Sequence, residues 1–186
     1  MADARTELGL VEPTVELEAS HRSFVAEVRA AGEELIPWVL AFPSESFADY
    51  VAQLRDAARG IGIAEGKVPH ATYWLVETRD DGRREIVAVA NVRFELNEQL
   101  IRHGGHVGYG VRPSARRRGF AATILRLALA ELQARGIGRA LVTCDPSNTG
   151  SAKAIARNGG VLAEIEFLPE LKRDVARYWI DLDPAP

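Results

Sequence analysis

The chain has 186 residues, 47% hydrophobic and 26% charged, which is enough apolar content for one substantial core and unlike a disordered segment. A formal charge of −3 and a pI near 5.9 give no global attraction to nucleic acid or an anionic membrane, so neither is expected as a partner. No apolar run approaches the roughly 20 residues that span a bilayer, and residues 1–7 lack the apolar core of a secretory signal, so a cytoplasmic protein is expected.

Residues 8–11 open with a strand candidate. Residues 20–31 read as a helix, with Ser20 as N-cap and Phe24, Val25 and Val28 on one side. Pro37 and Pro43 punctuate the link to a second helix over 44–59. There Phe47, Tyr50, Val51, Leu54, Ala57 and Ala58 recur at helical spacing, and Gly60 ends the run. Residues 60–69 are glycine-rich and form a loop suited to the border of a substrate site.

Residues 72–79 and 85–96 are β-rich runs joined by Asp80-Asp81-Gly82-Arg83, in which Asp-Gly is the hairpin signal. In the second run Ile86, Ala88, Ala90, Val92, Phe94 and Leu96 alternate onto one face, and Asn91, Arg93 and Glu95 onto the other. A strand over 105–111 leads through Arg112-Pro113 into a basic loop and a helix over 119–135. Leu125, Ala128, Leu129 and Leu132 form the apolar stripe of that helix, and Gly136 is its C-terminal cap.

Residues 140–144 make a buried-type strand holding the single cysteine, Cys144, which suits core better than a nucleophile. One cysteine excludes an intramolecular disulfide, and no Cys/His spacing suggests zinc, so no metal is expected. Residues 147–158 read as a short helix closed by Gly159-Gly160, and 161–167 and 177–182 as closing strands. Hairpin strands around a central strand-helix-strand unit imply a mixed α/β sheet with helices packed against it.

The segment from Val111 to Ala121 carries the chemistry. The first turn of a helix has unpaired N–H groups and partial positive charge, and Gly119 lets a bulky pyrophosphate approach the backbone. Arg116, Arg117 and Arg118 add charge. On residues alone the loop is either a phosphate site or a solvated basic surface. No Gly-Lys-Ser/Thr closes a P-loop, and Gly105-x-x-Gly108-x-Gly110 lies inside a strand, so nucleotide hydrolysis is not expected.

Arg116, Gly119 and Ala121 stand at the defining positions of Arg/Gln-x-x-Gly-x-Gly/Ala, and the stretch resembles the central motif of the GNAT (Gcn5-related N-acetyltransferase) superfamily. Asn148-Thr149-Gly150-Ser151 and the run from Ala154 through Asn158 to Gly160 are similar to the helix motif that follows in the family. The close resemblance covers residues 106–160. It implies an α/β GNAT fold, with a central mixed, mostly antiparallel twisted sheet splayed between strands 4 and 5 and flanked by about four helices. It also implies one domain over 1–186, with acceptor-side helices in 1–70, a hairpin in 72–96, an acyl-CoA-binding core in 105–160 and closing strands in 161–186.

The resemblance implies acetyl-CoA as acyl donor, with the amides of Arg117, Arg118, Gly119, Phe120 and Ala121 on the pyrophosphate and Arg116 assisting. The pantetheine arm would pair with the backbone from Tyr109 to Val111, and Asn148 and Ser151 would complete the wall. Asn148 is equally an ordinary helix-capping residue. In the family a neutral amine attacks the thioester directly, and a backbone N–H near Val111 would hold the oxyanion.

His106 is the first choice of base, because its strand carries one in several members and imidazole titrates near neutrality. Glu95 is second, acting through water, and His103 fits a turn cap. Ile155 stands where many members place a proton-donating tyrosine. Either Tyr109 substitutes for it or water protonates the thiolate, whose conjugate acid has a pKa of about 8.5 by analogy with cysteine.

The acceptor is expected to be an amine of a small molecule, amino acid or peptide, bound where the first two helices and residues 60–69 face the splayed strands. The alternative is a non-catalytic acyl-CoA-binding or sensor domain, suggested by Ile155. Dimerisation is common in the family, so a homodimer is compatible, although no exposed apolar stripe marks an interface.

Overall fold

The computed structural model describes residues 7–182, so most of the stretch judged to lack a leader, residues 1–6, lies outside the described residues. β1 (Glu7–Val11) pairs with β2 (His70–Thr78), β2 with β3 (Arg84–Arg93), and β3 with β4 (Val107–Val111). A second ladder orders β5 (Arg139–Cys144), β7 (Arg173–Asp181) and β6 (Val161–Leu168). Every one of these pairings is antiparallel. The helices are α1 (Glu18–Ala30), α2 (Phe47–Ala58), α3 (Glu98–Arg102), α4 (Phe120–Gln133) and α5 (Thr149–Arg157). None of the described helices is long and apolar enough to cross a membrane.

The two ladders meet where β4 and β5 come together at one end only. The His106 N–H donates to the Leu141 carbonyl at 2.7 Å, the Leu141 N–H donates to His106 Nδ1 at 2.9 Å, and the Gly104 N–H donates to Thr143 Oγ1 at 2.9 Å. Beyond these bonds no ladder joins the strands. The splay between strands 4 and 5 is therefore present, and it divides the expected single sheet into two separately bonded ones.

Helices cover both faces. Ile124, Leu125, Ala128 and Leu132 of α4 are fully buried against Ala88, Ala90 and Val92 of β3 and Val142 of β5. On the opposite face Phe24 and Val28 of α1 and Tyr50 and Leu54 of α2 close over Trp74, Val76 and Val89. Each fully buried leucine contributes roughly 1.5–3 kcal/mol of transfer free energy, which fixes both helices to the sheet more firmly than intrinsic propensity does.

Several local expectations are corrected. Ser20 is not a cap. Thr14 caps a short 3₁₀ turn, Val15–Leu17, that runs directly into α1, and Ser20 Oγ instead accepts the Ile86 N–H at 2.8 Å. That amide adjoins a β-bulge, since Leu75 faces Ala88 while Val76 faces Ile86, leaving Val87 without a partner. The extra residue reverses the alternation, so Ile86 joins Val89 under α1 and α2 instead of Ala88 under α4. β3 also ends at Arg93, which puts Glu95 in a bend beyond the strand. The unforeseen α3 follows, capped by Asn97 Oδ1 on the Leu100 N–H at 2.9 Å.

Candidate active site

The bonding phase of β4 determines what faces the splay. The Arg112 N–H donates to the Val87 carbonyl, and the Arg93 N–H to the His106 carbonyl, both on the β3 side. In an antiparallel ladder the amides alternate in direction, so those of residues 108 and 110 point to β3 and those of Tyr109 and Val111 point into the gap toward β5.

From Val111 the chain passes through a 3₁₀ turn, Pro113–Ala115, into the loop before α4. Arg117 and Gly119 adopt left-handed conformations, at φ 62° and 86°. Gly119 occupies the N-cap position of α4 and no side chain caps the helix. The first amides of α4 are thus left for an external acceptor, with the dipole favouring an anion.

These elements border one cleft of about 730 Å³, whose wall includes Tyr109, Val111, Arg116, Gly119, Asn148 and Ser151. Arg117, Lys153 and Arg157 add cationic side chains to it, and Phe120 and Ala121 also line it. Arg116 reaches across to α1's following loop, where Nη1 and Nη2 bond the two Glu33 carboxylate oxygens at 2.7 and 2.5 Å. The hydrogen bond from Arg116 holds the Glu33 carboxyl below its usual range.

On the facing wall, Asn148 Oδ1 accepts the Ser151 N–H at 2.9 Å and so caps α5. Ser151 Oγ in turn lies 2.9 Å from the Tyr109 hydroxyl. Burial pushes the Tyr109 phenol up to about 12, against a smaller opposing effect of that hydrogen bond.

Three sequence-predicted side chains lie elsewhere, as does Ile155, which stands where many family members place a tyrosine. The Arg118 guanidinium turns to the buried Glu77 carboxylate and stacks 4.7 Å from the Phe120 ring centroid, outside the cleft wall. His106 spends Nδ1 on the Leu141 N–H and does not line the cleft, and burial lowers its pKa. Glu95 is exposed and also off the wall. Ile155 is fully buried in the core beneath α5, while Ser151 and Ala154 take the cleft-facing positions of that helix.

The sequence matches the family described as Acetyltransferase (GNAT) domain over residues 11–161. The chain belongs to the GNAT acetyltransferase family. It is an acetyl-CoA-dependent acetyltransferase of that family. No curated protein matches it at significant similarity.

Among solved structures it resembles RimL, the ribosomal L7/L12 alpha-N-protein acetyltransferase in complex with coenzyme A, at 18% identity and a TM-score of 0.67 over 96% of each chain. The ribosomal-protein-S5-alanine acetyltransferase from Vibrio fischeri aligns at 15% identity and a TM-score of 0.67, again over 96% of each chain. RimJ from Mycobacterium smegmatis, in complex with CoA-disulfide, aligns at 20% identity and a TM-score of 0.65 over 96% of this chain and 85% of its own. At these identities the likeness shows the GNAT fold alone.

The GNAT family uses acetyl-CoA, and the cleft suits it chemically. An uncapped helix amino end, a left-handed glycine and four cationic side chains converge where a pyrophosphate would sit. Lys153 and Arg157 escaped the sequence reading, although their spacing of four on a short helix places them on one face. Among the described residues no group of three or more His, Cys, Asp or Glu side chains is arranged to hold a metal ion.

Proposed function

We propose that this GNAT chain transfers the acetyl group of acetyl-CoA to an amine by direct attack. The observation that carries it is the sharing of one cleft by the uncapped end of α4, the gap-facing Tyr109 and Val111 amides, and the Tyr109 hydroxyl. Acetyl-CoA supplies the acyl group as a thioester. The amides from Arg117 to Ala121 bind its diphosphate, with Arg116, Arg117, Lys153 and Arg157 adding charge. Asn148 fixes the start of α5 and Ser151 holds the Tyr109 hydroxyl. The Val111 N–H, directed into the gap, is placed to stabilise a developing oxyanion.

Tyr109 is assigned as a hydrogen-bond donor to the sulfur as it departs. Full proton transfer from a phenol near 12 to a thiolate whose conjugate acid lies at about 8.5 is uphill by roughly 5 kcal/mol. A charge-assisted hydrogen bond stabilises the same negative charge without that cost, and water delivers the proton afterwards. His106 and Glu95 receive no proton-transfer role: the neutral fraction of the acceptor amine reacts, the C–N bond forms and the C–S bond breaks, and water takes the surplus proton from nitrogen as it supplies one to the thiolate. The non-catalytic alternative rested on Ile155, and a phenol already on the cleft wall weakens that ground.

The test is thiol release from acetyl-CoA across a panel of primary amines, with acetyl-CoA binding followed separately by thermal shift. Amine-dependent release supports transfer. Saturable acetyl-CoA binding with no release for any amine supports the sensor alternative, and no binding at millimolar concentration overturns both.

A further inference from the structure

This inference rests on the acetyl-transfer reading and names the class of acceptor. A second cavity, of about 300 Å³, opens beside the ends of β2 and β3 and is lined by Trp38, Lys67, His70, Arg93 and His103, among others. No carboxylate lines it. Arg93 is only 8% exposed, and Nη1 donates to the Gly104 and Gly105 carbonyls at 3.0 and 3.1 Å. Among the described residues it makes no ion pair.

The other two guanidiniums buried among the described residues provide an internal control. Arg112 is flanked by Glu27 and Glu85, and Arg177 by Glu164 and Glu166. A buried charge without a counterion is strongly unfavourable, so a fold that neutralises two such groups with paired carboxylates and leaves the third to carbonyls keeps its remaining donors for an external anion. Desolvation brings Arg93 down to about 10, which leaves it protonated at neutral pH. Its planar fork suits the two oxygens of a carboxylate or phosphate.

Position connects this cavity to transfer. The Arg93 Nη atoms lie 3.5 and 3.6 Å from where a Cβ would stand on Gly108. Gly108 immediately precedes Tyr109 and Gly110, which line the cofactor cleft. The segment at Ile36 and Trp38 has the same arrangement, with Ile36 on the cofactor cleft and Trp38 on the second cavity. We infer that the second cavity is the acceptor site and that Arg93, helped by Lys67, selects a small amine carrying a carboxylate or phosphate close to its amino group.

The experiment compares acceptors that differ only in the anion, namely glycine against glycinamide and phosphoethanolamine against ethanolamine, with rates expressed per neutral amine. For the wild type, kcat/KM should favour the anionic member of at least one pair by tenfold or more, and the pair that responds tells carboxylate from phosphate. Arg93→Gln should bring that ratio to within about twofold of one while leaving acetyl-CoA affinity unchanged. Arg93→Lys should keep part of it.

Lys67 is exposed, so Lys67→Gln should fold normally and lower the ratio about threefold, which keeps the test decisive if Arg93→Gln fails to fold. A wild-type ratio near one in both pairs, a preference undiminished in folded Arg93→Gln, or, where that variant does not fold, a preference undiminished in Lys67→Gln, overturns the inference. Calorimetric titration of the same four amines separates the two claims. Anion-selective binding lost in Arg93→Gln, without acetylation, upholds the pocket and sinks the transfer reading; acetylation without anion selectivity does the reverse.

Discussion

The Tyr109 hydroxyl lies 2.9 Å from Ser151 Oγ, tying β4 to α5 across the open end of the splay. If that phenol stabilises the departing sulfur by a charge-assisted hydrogen bond, worth roughly 1.5–3 kcal/mol, Tyr109→Phe should lower kcat by about 10- to 100-fold. The melting temperature should change little. An acyl donor with a more acidic thiol should narrow the deficit, because less charge then needs support. Stopped-flow thiol release with the two donors checks this, and an equal deficit for both would assign Tyr109 to positioning.

The Glu33 carboxylate holds Arg116, so in the proposed complex it competes with the diphosphate for that guanidinium. The pair is solvent-exposed, so it adds about 0–1 kcal/mol to stability, and its main effect is on the charge of the cleft. Glu33→Gln should therefore tighten acetyl-CoA binding several-fold, and Arg116→Ala should weaken it by about tenfold. Calorimetry at two salt concentrations checks both, and the difference should shrink at high salt.

His106 fastens the closed end of the splay. His106→Ala leaves the buried Leu141 N–H without an acceptor, at a cost of about 1–3 kcal/mol. In His106→Asn the side-chain oxygen takes the place of Nδ1, so most of that stability should return. Neither variant should introduce or remove an ionisation in the pH profile of kcat/KM. Loss of the acid-side limb in His106→Asn, where activity falls as a base is protonated, with stability retained, would restore His106 as the general base.

Burial lowers both His21 and His70 from 6.5 to about 4. The unfolded chain therefore takes up these protons first, so their contribution is complete above pH 6.5 and is lost as pH falls to about 4. At about 1.4 kcal/mol per pKa unit the loss is on the order of 3 kcal/mol for each ring. Denaturant unfolding between pH 7 and 4 should show this decline, and His21→Phe should reduce its slope by one proton. The Glu33 carboxyl, held low by Arg116, acts in a separate window at lower pH.

The order of helices and strands was legible because Leu125, Ala128 and Leu132 repeat at helical spacing and Asp81-Gly82 marks a hairpin. The turn before α4 was legible because a glycine stands directly ahead of an amphipathic run, and Gly119 takes the left-handed N-cap position there. Side-chain partners were not. Spacing does not reveal that Glu77 takes Arg118, that a peptide amide thirty-five residues away takes His106 Nδ1, or that Ile155 faces inward. The bulge at Val87 reverses the alternation with no proline or glycine to signal it. α3 is five residues long, too short for a periodic pattern to stand out.

A Cβ on Gly110 would overlap the Ile36 carbonyl oxygen, so the partition between the two cavities is main chain resting on main chain. Its width does not depend on which side chains furnish either chamber. Substitutions at Trp38, Lys67 or Arg93 can therefore change the lining of the second cavity without moving that partition. Side-chain chemistry on either side is thus free to vary while the wall between the two chambers keeps its place.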